Sequence, residues 1–509
     1  MIRVSTLLFA AVMVSSAAQA QPAAPVTVRI DSGPVAGVVE GKANVFRDIP
    51  FAAAPVAALR WAPPQPVTPW TAPRAAALAG PACPQPMTAN GTPNSGGANG
   101  PTSEDCLQLN VFAPRGGTGA PAKGAPVMVW IHGGGHRTGA GWIYDGQNFA
   151  RDGVVVVSVN YRLGALGYFA HPALTKAAKA GEPLGNYGLM DQIAALKWVR
   201  RNIAAFGGDP TNVTVFGESA GGMSTLALLA TPSAKGLYRK AIVESGAGWF
   251  EPATLADQEK VGVAALQKIG VPAAATAADL RALPVETLAA VNGNYAPFID
   301  GRLMTETASQ ALARGHVADV PLIIGSNSGE DSLMGPMTLG AAAVARIPAA
   351  VKPAYAAEAA AGDDAFARAV FTDRVMGGPA RWVAGKASGG QPAWLYYFSY
   401  VGSRFRPAMT RAGHAAEIQY VWEYWGRRTP MSEVTEDDKA VAALMHACWV
   451  SFARTGTPKC GPQAWPAYSP ASDQLMEFSA SSGVRTHFRK AQLDAQQAAA
   501  LPGLELDAK

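Results

Sequence analysis

Continuous apolar runs of strand length recur along the chain. Val127–Ile131 and Val154–Val159 are two of them, the pattern of strands covered on both faces. Asn212-Val213-Thr214-Val215-Phe216, Val320–Ile324 and Trp394–Phe398 read the same way. Between them the period changes. Asp191–Val199 places apolar residues every three or four positions, as a helix does, and Gly222–Leu229 reads as the helix after the 212–216 strand. Residues 26–50 alternate around Gly33 and Gly37 as a hairpin would. Residues 62–103, rich in Pro, Gly, Ala and Asn, read as loop, and the Ala/Gln-rich tail from about Lys490 as a helix with a frayed end. Strands interleaved with helices predict an α/β architecture, a large mostly parallel sheet with helices on both faces.

Composition adds a compartment and removes some functions. Arg3, the apolar run Leu7–Val14 and Ala18-Gln19-Ala20 form a secretory leader over residues 1–20. No cysteine sits at the cut before Gln21, and no later stretch holds the ~20 apolar residues of a membrane span. The mature chain is expected to be exported, periplasmic or extracellular, without a membrane anchor. A net charge of +5 without a Lys/Arg block gives little support to a nucleic-acid partner. Four cysteines are an even number for an exported chain. Pairing by neighbourhood joins Cys83 to Cys106 and Cys448 to Cys460, with other connectivities and free buried thiols as alternatives. No CxxC or HExxH spacing points to a metal.

Candidate chemistry starts at Gly217-Glu218-Ser219-Ala220-Gly221, between the 212–216 strand and its helix. A serine in G-x-S-x-G at that junction sits on a strained turn that exposes its hydroxyl, and a Cβ in place of either glycine would strike the neighbouring elements. His132-Gly133-Gly134-Gly135 ends the 127–131 strand and offers backbone amides to an oxyanion, with the amide of Ala220. The base should follow the serine, which leaves His414, His446 and His487. His414 lies in a loop after the 394–398 strand and is preferred, while His446 reads as a core histidine. The acid should follow the 321–325 strand, where Glu330 and Asp331 both qualify. These parts span residues 132–414 and must meet, so residues 21–509 are expected to form one catalytic domain with long insertions.

The chain resembles the type-B carboxylesterases, a family that includes bacterial nitrobenzyl-type esterases and cholinesterases. The resemblance runs from about residue 27 to 480. It rests on Phe46–Trp61, Glu104–Val111, Val129–Gly135, Asn160–Phe169, Gly185–Trp198, Phe206–Gly222 and Gly413–Tyr420. It implies an α/β-hydrolase fold and a secreted serine esterase that hydrolyses carboxylic esters through an acyl-enzyme, without cofactor. Ser219 matches the nucleophile, His414 the base and Glu330 the acid, although Gly329 and Asp331 replace the usual neighbours of that acid. Gly134, Gly135 and Ala220 match the oxyanion donors, and Glu218 and Ser245 the positions that support the acid. The family pattern also implies the Cys83–Cys106 disulfide and structural ion pairs Arg60–Glu104 and Arg162–Asp191. His136 stands where an aromatic residue is usual, either touching substrate or lining the pocket, and Asp48 replaces a glycine in a turn. Trp249 and Phe250 are expected in the acyl pocket, and a small or aromatic apolar ester is the expected substrate. The same triad would also serve amide, lactone or carbamate hydrolysis. A non-catalytic binding protein on this fold is the rival reading, disfavoured because all three triad positions are kept.

Overall fold

The computed structural model describes residues 26–115, 124–504 and 506. The leader expected over residues 1–20 lies outside them. The strands, in chain order, are β1 (Val26–Ile30), β2 (Gly33–Glu40), β3 (Ala43–Pro50), β4 (Arg74–Ala75), β5 (Gln108–Pro114), β6 (Ala125–Ile131) and β7 (Val155–Val159). They continue as β8 (Gly208–Glu218), β9 (Lys240–Glu244), β10 (Leu322–Asn327), β11 (Ala393–Phe398), β12 (Gln474–Phe478) and β13 (Gly483–Thr486). They form one sheet in the order β1-β2-β3-β5-β7-β6-β8-β9-β10-β11-β12-β13, with β4 paired to β2. Pairing is parallel from β7 through to β12 and antiparallel at both ends.

Alternation along the central strands feeds two cores, because successive side chains leave opposite faces. Val127, Val129, Ile131, Val213, Val215, Val243 and Ile324 enter one. Met128, Trp130, Phe216, Ile242 and Ile323 enter the other. Apolar residues of α1 (Tyr187–Asn202), α2 (Ala220–Ala230) and α3 (Gly378–Ala387) contribute to the first core. Those of α4 (Glu436–Thr455), among them Met445, Trp449 and Phe452, contribute to the second. This is why the strands read as unbroken apolar runs, and the expected α/β-hydrolase arrangement is present. At Asp48 the chain takes φ 57 and the β3–β5 register shifts between Phe46 and Ile49, which explains why glycine suits that position.

Register sets the site. Ile131 lies opposite Gly217, Glu218 opposite Glu244, and Glu244 opposite Gly325. The carboxyl ends of four adjacent parallel strands therefore finish level, the edge at which open α/β sheets bind ligands.

Candidate active site

Ser219 occupies the turn between β8 and α2 with φ 56 and ψ −122, a region that costs a non-glycine residue on the order of 1–3 kcal/mol. Its amide donates to the Glu244 carbonyl at 2.8 Å and its carbonyl accepts from Met223 N at 2.9 Å. The turn closes only because its neighbours lack side chains. A Cβ on Gly221 would lie 1.9 Å from Ile131 O, and one on Gly217 would lie 2.6 Å from the same atom. Strand, turn and helix thus hold Ser219 against the end of β6.

His414 and Glu330 meet beside it. His414 Nδ1 is 2.6 Å from Glu330 Oε2, and Glu330 is fully buried. The other carboxylate oxygen accepts from Ser245 Oγ at 2.6 Å and from Asn327 N at 2.7 Å, so both oxygens are used. The loops carrying the two residues are also joined by further hydrogen bonds. Gly329 N donates to Ala412 O at 2.7 Å, Asn327 Nδ2 to Gly413 O at 3.0 Å, and His414 N to Ser332 Oγ at 2.8 Å. Asp331 is engaged elsewhere, accepting from Arg411 at 2.9 Å and paired with Arg368 at 3.4 Å. Of the two acids open in the sequence, Glu330 is the one against His414.

Three further carboxyl groups surround this pair. Glu218 Oε1 stands 3.1 Å from His414 Nε2, Glu417 Oε2 accepts from Asn327 Nδ2, and Glu244 Oε1 accepts from Trp449 Nε1 at 2.8 Å. Burial pushes Glu218 up to about 8, with His414 opposing and the charges of Glu417 and Glu330 adding to the rise. Burial, and then the Glu330 charge, push Glu417 up to about 7. Burial also lifts Glu244 well above the carboxylate range. For His414, burial acts downward, but Glu218 and then Glu330 outweigh it and raise the imidazole to about 10. The charges of these groups act on one another, so the cluster titrates as a group.

The amides of Gly134, Gly135 and Ala220 have no protein acceptor among the described residues. Gly134 and Gly135 adopt φ 99 and φ 65, and a Cβ on Gly134 would lie 2.1 Å from Thr138 O. Both line a cavity of about 1020 Å³ together with Ser219, His414 and Glu218. His136, expected in its wall, is fully buried instead. Its Nδ1 donates to Tyr295 O and its Nε2 accepts from Ser224 Oγ, both at 3.0 Å. Burial pulls it down to about 4, so it stays neutral. Trp249 and Phe250 do not line this cavity either. They pack against the core, and Phe250 borders a separate void of about 30 Å³ with Met223 and Phe298. The walls include Arg137 and Tyr144 from the insertion 136–147 and Leu333 from the insertion 333–345, the two segments from which the sequence suggests walls, and also Met87, Trp422, Arg427 and Arg428, which sequence reasoning passed over. The Arg427-Arg428 doublet, soon after the His414 motif, was the available signal.

The remaining expected features fall outside the cavity. Cys83–Cys106 and Cys448–Cys460 are bonded. Arg162 grips Asp191 through Nε at 2.8 Å and Nη2 at 2.7 Å, and Arg60 meets Glu104 at 2.7 and 2.5 Å. His446 is a core histidine, its Nδ1 donating to Val421 O at 2.7 Å. Asp152, Glu423 and His446 have ligand atoms within 4.8 Å of one another. Arg151 already bridges both of those carboxylates, at 2.5 and 2.6 Å.

Known proteins resemble this chain over most of its length. A family model described as Carboxylesterase family matches residues 24–350 and 345–496. A para-nitrobenzyl esterase of Bacillus subtilis is 36% identical over 464 residues, covering 86% of this chain and 91% of its own. A fumonisin B1 esterase of Sphingopyxis macrogoltabida is 34% identical over 488 residues, covering 89% and 86%. Among solved structures, a thermophilic PNB esterase superposes with a TM-score of 0.81 at 32% identity, covering 92% of this chain and 99% of that one.

Proposed function

The chain belongs to the carboxylesterase family and is a carboxylic ester hydrolase, and we propose that it works as an exported serine esterase with Ser219, His414 and Glu330 as its triad. Ser219 Oγ attacks the ester carbonyl carbon while His414 Nε2 takes its proton. Glu330 holds the Nδ1–H tautomer and balances the imidazolium that forms. The amides of Gly134, Gly135 and Ala220 receive the oxyanion, a contribution of about 3 kcal/mol per donor. His414 then returns the proton to the leaving alcohol. Water attacks the acyl-Ser219 carbonyl, His414 takes the water's proton, and collapse of the second tetrahedral intermediate releases the acid and restores the serine.

The observation that carries this reading is the 2.6 Å contact of a fully buried Glu330 with His414, which lines the same cavity as the strained Ser219. Export is supported by the leader-like residues 1–20 and by two disulfides, which persist in oxidising compartments. No helix among the described residues is long and apolar enough to cross a membrane. Residues 21–509 act as one catalytic domain, since the strands that present the three residues belong to one sheet.

The test is labelling with a fluorophosphonate, followed by peptide mapping and turnover of p-nitrophenyl butyrate. The expected result is one label on Ser219 with loss of activity, and no label or turnover in Ser219→Ala. Full activity in Ser219→Ala, or a label on another residue, would overturn the triad.

A further inference from the structure

Three arginines line the cavity that holds Ser219, and none forms an ion pair among the described residues. Each is anchored to a segment of the candidate site. Arg137 lies two residues after Gly135 in the same loop. Its Nη2 donates to Asn292 Oδ1 at 2.6 Å, while its Nε is buried with no partner. Arg428 donates through Nη1 to Ala415 O, the carbonyl next to His414, and its charge reaches as far as Glu218. Arg427 comes from the same loop and reaches Gly97. Its Nη2 lies so close to Gly97 that a Cβ there would sit 1.2 Å away.

The acids in the wall do not balance these charges. Asp145 spends both oxygens on Gln147, at 2.9 and 3.0 Å, and Glu218 faces His414. Desolvation at the wall draws the Arg427 guanidinium down, Tyr144 opposes this, and the charge of Arg428 adds to the fall. Adjacent guanidinium groups that repel one another and lack carboxylates are matched to an incoming planar anion, which they can grip bidentately. Met87, Ile143, Leu333 and Trp422 supply the apolar remainder of the wall.

We propose that Arg427 and Arg428, with Arg137 in the same cavity, select esters that carry a free carboxylate, such as half-esters of dicarboxylic acids. This rests on the ester-hydrolase reading above and replaces the apolar ester that the sequence suggested. A carboxylate-bearing acid or alcohol part would sit against the arginines while the ester carbonyl lies over Ser219.

The experiment compares kcat/KM for monoethyl adipate, ethyl hexanoate and the ethyl ester of 6-trimethylammoniohexanoate, which differ mainly in terminal charge. It uses wild type and the Arg427→Gln/Arg428→Gln variant, at low and high salt. The expected wild-type order is anionic, then neutral, then cationic. In the variant the anionic-to-neutral ratio should fall at least about ten-fold, the size of one charge-assisted contact. Raising salt should narrow the wild-type preference, because the arginines keep contact with solvent. A wild type that turns over ethyl hexanoate with no preference for monoethyl adipate overturns this inference alone, as does a ratio unchanged in the variant. Failure to hydrolyse any of the esters would overturn the ester-hydrolase reading itself.

Discussion

Glu218→Gln should move the acid limb of the pH–rate profile to lower pH. Glu218 Oε1 lies 3.1 Å from His414 Nε2, and the substitution removes that charge while keeping the shape. A unit charge pair at this separation is worth about 1.3 kcal/mol at the dielectric of water and about 5 kcal/mol at an effective constant of about 20. At about 1.36 kcal/mol per unit, that corresponds to a range of about 1 to about 4 pKa units for His414. Glu218 is itself pushed up to about 8, so on the acid side of the limb it takes up a proton and its pull on the imidazolium weakens. The expected shift therefore sits in the lower half, about 1–2 units. The sign follows from the base. Without the neighbouring carboxylate the imidazolium is less stabilised, the pKa falls, and His414 stays free to accept a proton at lower pH. The assay is kcat/KM for p-nitrophenyl butyrate from about pH 6 to about pH 11, a window that includes the wild-type limb near about 10, because that quantity reports the free enzyme. A limb that stays within about 0.3 units, or moves to higher pH, would refute the electrostatic account of the cluster.

Three further outcomes can be checked. Gly221→Ala puts a methyl group 1.9 Å from Ile131 O, so kcat/KM should fall by more than about 100-fold or the chain should fail to fold, whereas near-normal turnover would contradict the packing argument for the turn. Glu330→Gln should lower kcat on the order of 10³–10⁴-fold through loss of the correct imidazole tautomer. Asp331→Asn, which breaks contacts to Arg411 and Arg368 instead, should spare kcat, and the reverse result would move the acid to Asp331. Asp191→Asn leaves the buried Arg162 guanidinium without its carboxylate and should cost about 3–5 kcal/mol in urea unfolding. The double change Arg162→Met/Asp191→Leu should cost less than that single one, since no buried charge is stranded.

What could be read from the sequence was what neighbouring residues decide. The central strands stood out because both of their faces are covered, and Ser219 because the glycines around it serve one short turn. The strand Lys240–Glu244 went unread, since its charged ends look like boundaries although both are buried. Backbone direction defeated the pocket assignment. His136 takes φ 53 and is buried beneath the glycine loop, and nothing in the run Gly135-His136-Arg137 tells which of the last two faces the cavity. The choice between Glu330 and Asp331 likewise depended on partners 80 residues or more away in the chain, Arg411 and His414.

The order of strands bears on how the chain reaches this state. Ser219, Glu330 and His414 follow β8, β10 and β11; β10 pairs with β11 directly, β8 reaches them only through β9, and long connections separate all three in the chain. Such non-local parallel pairing is slow, and chains of this length fold through populated intermediates. Helices and single strands can therefore form well before the three side chains meet. Enzymatic activity is a late reporter in refolding, trailing the recovery of secondary structure, and the Val-rich strands β6 and β7 spend that interval open to aggregation.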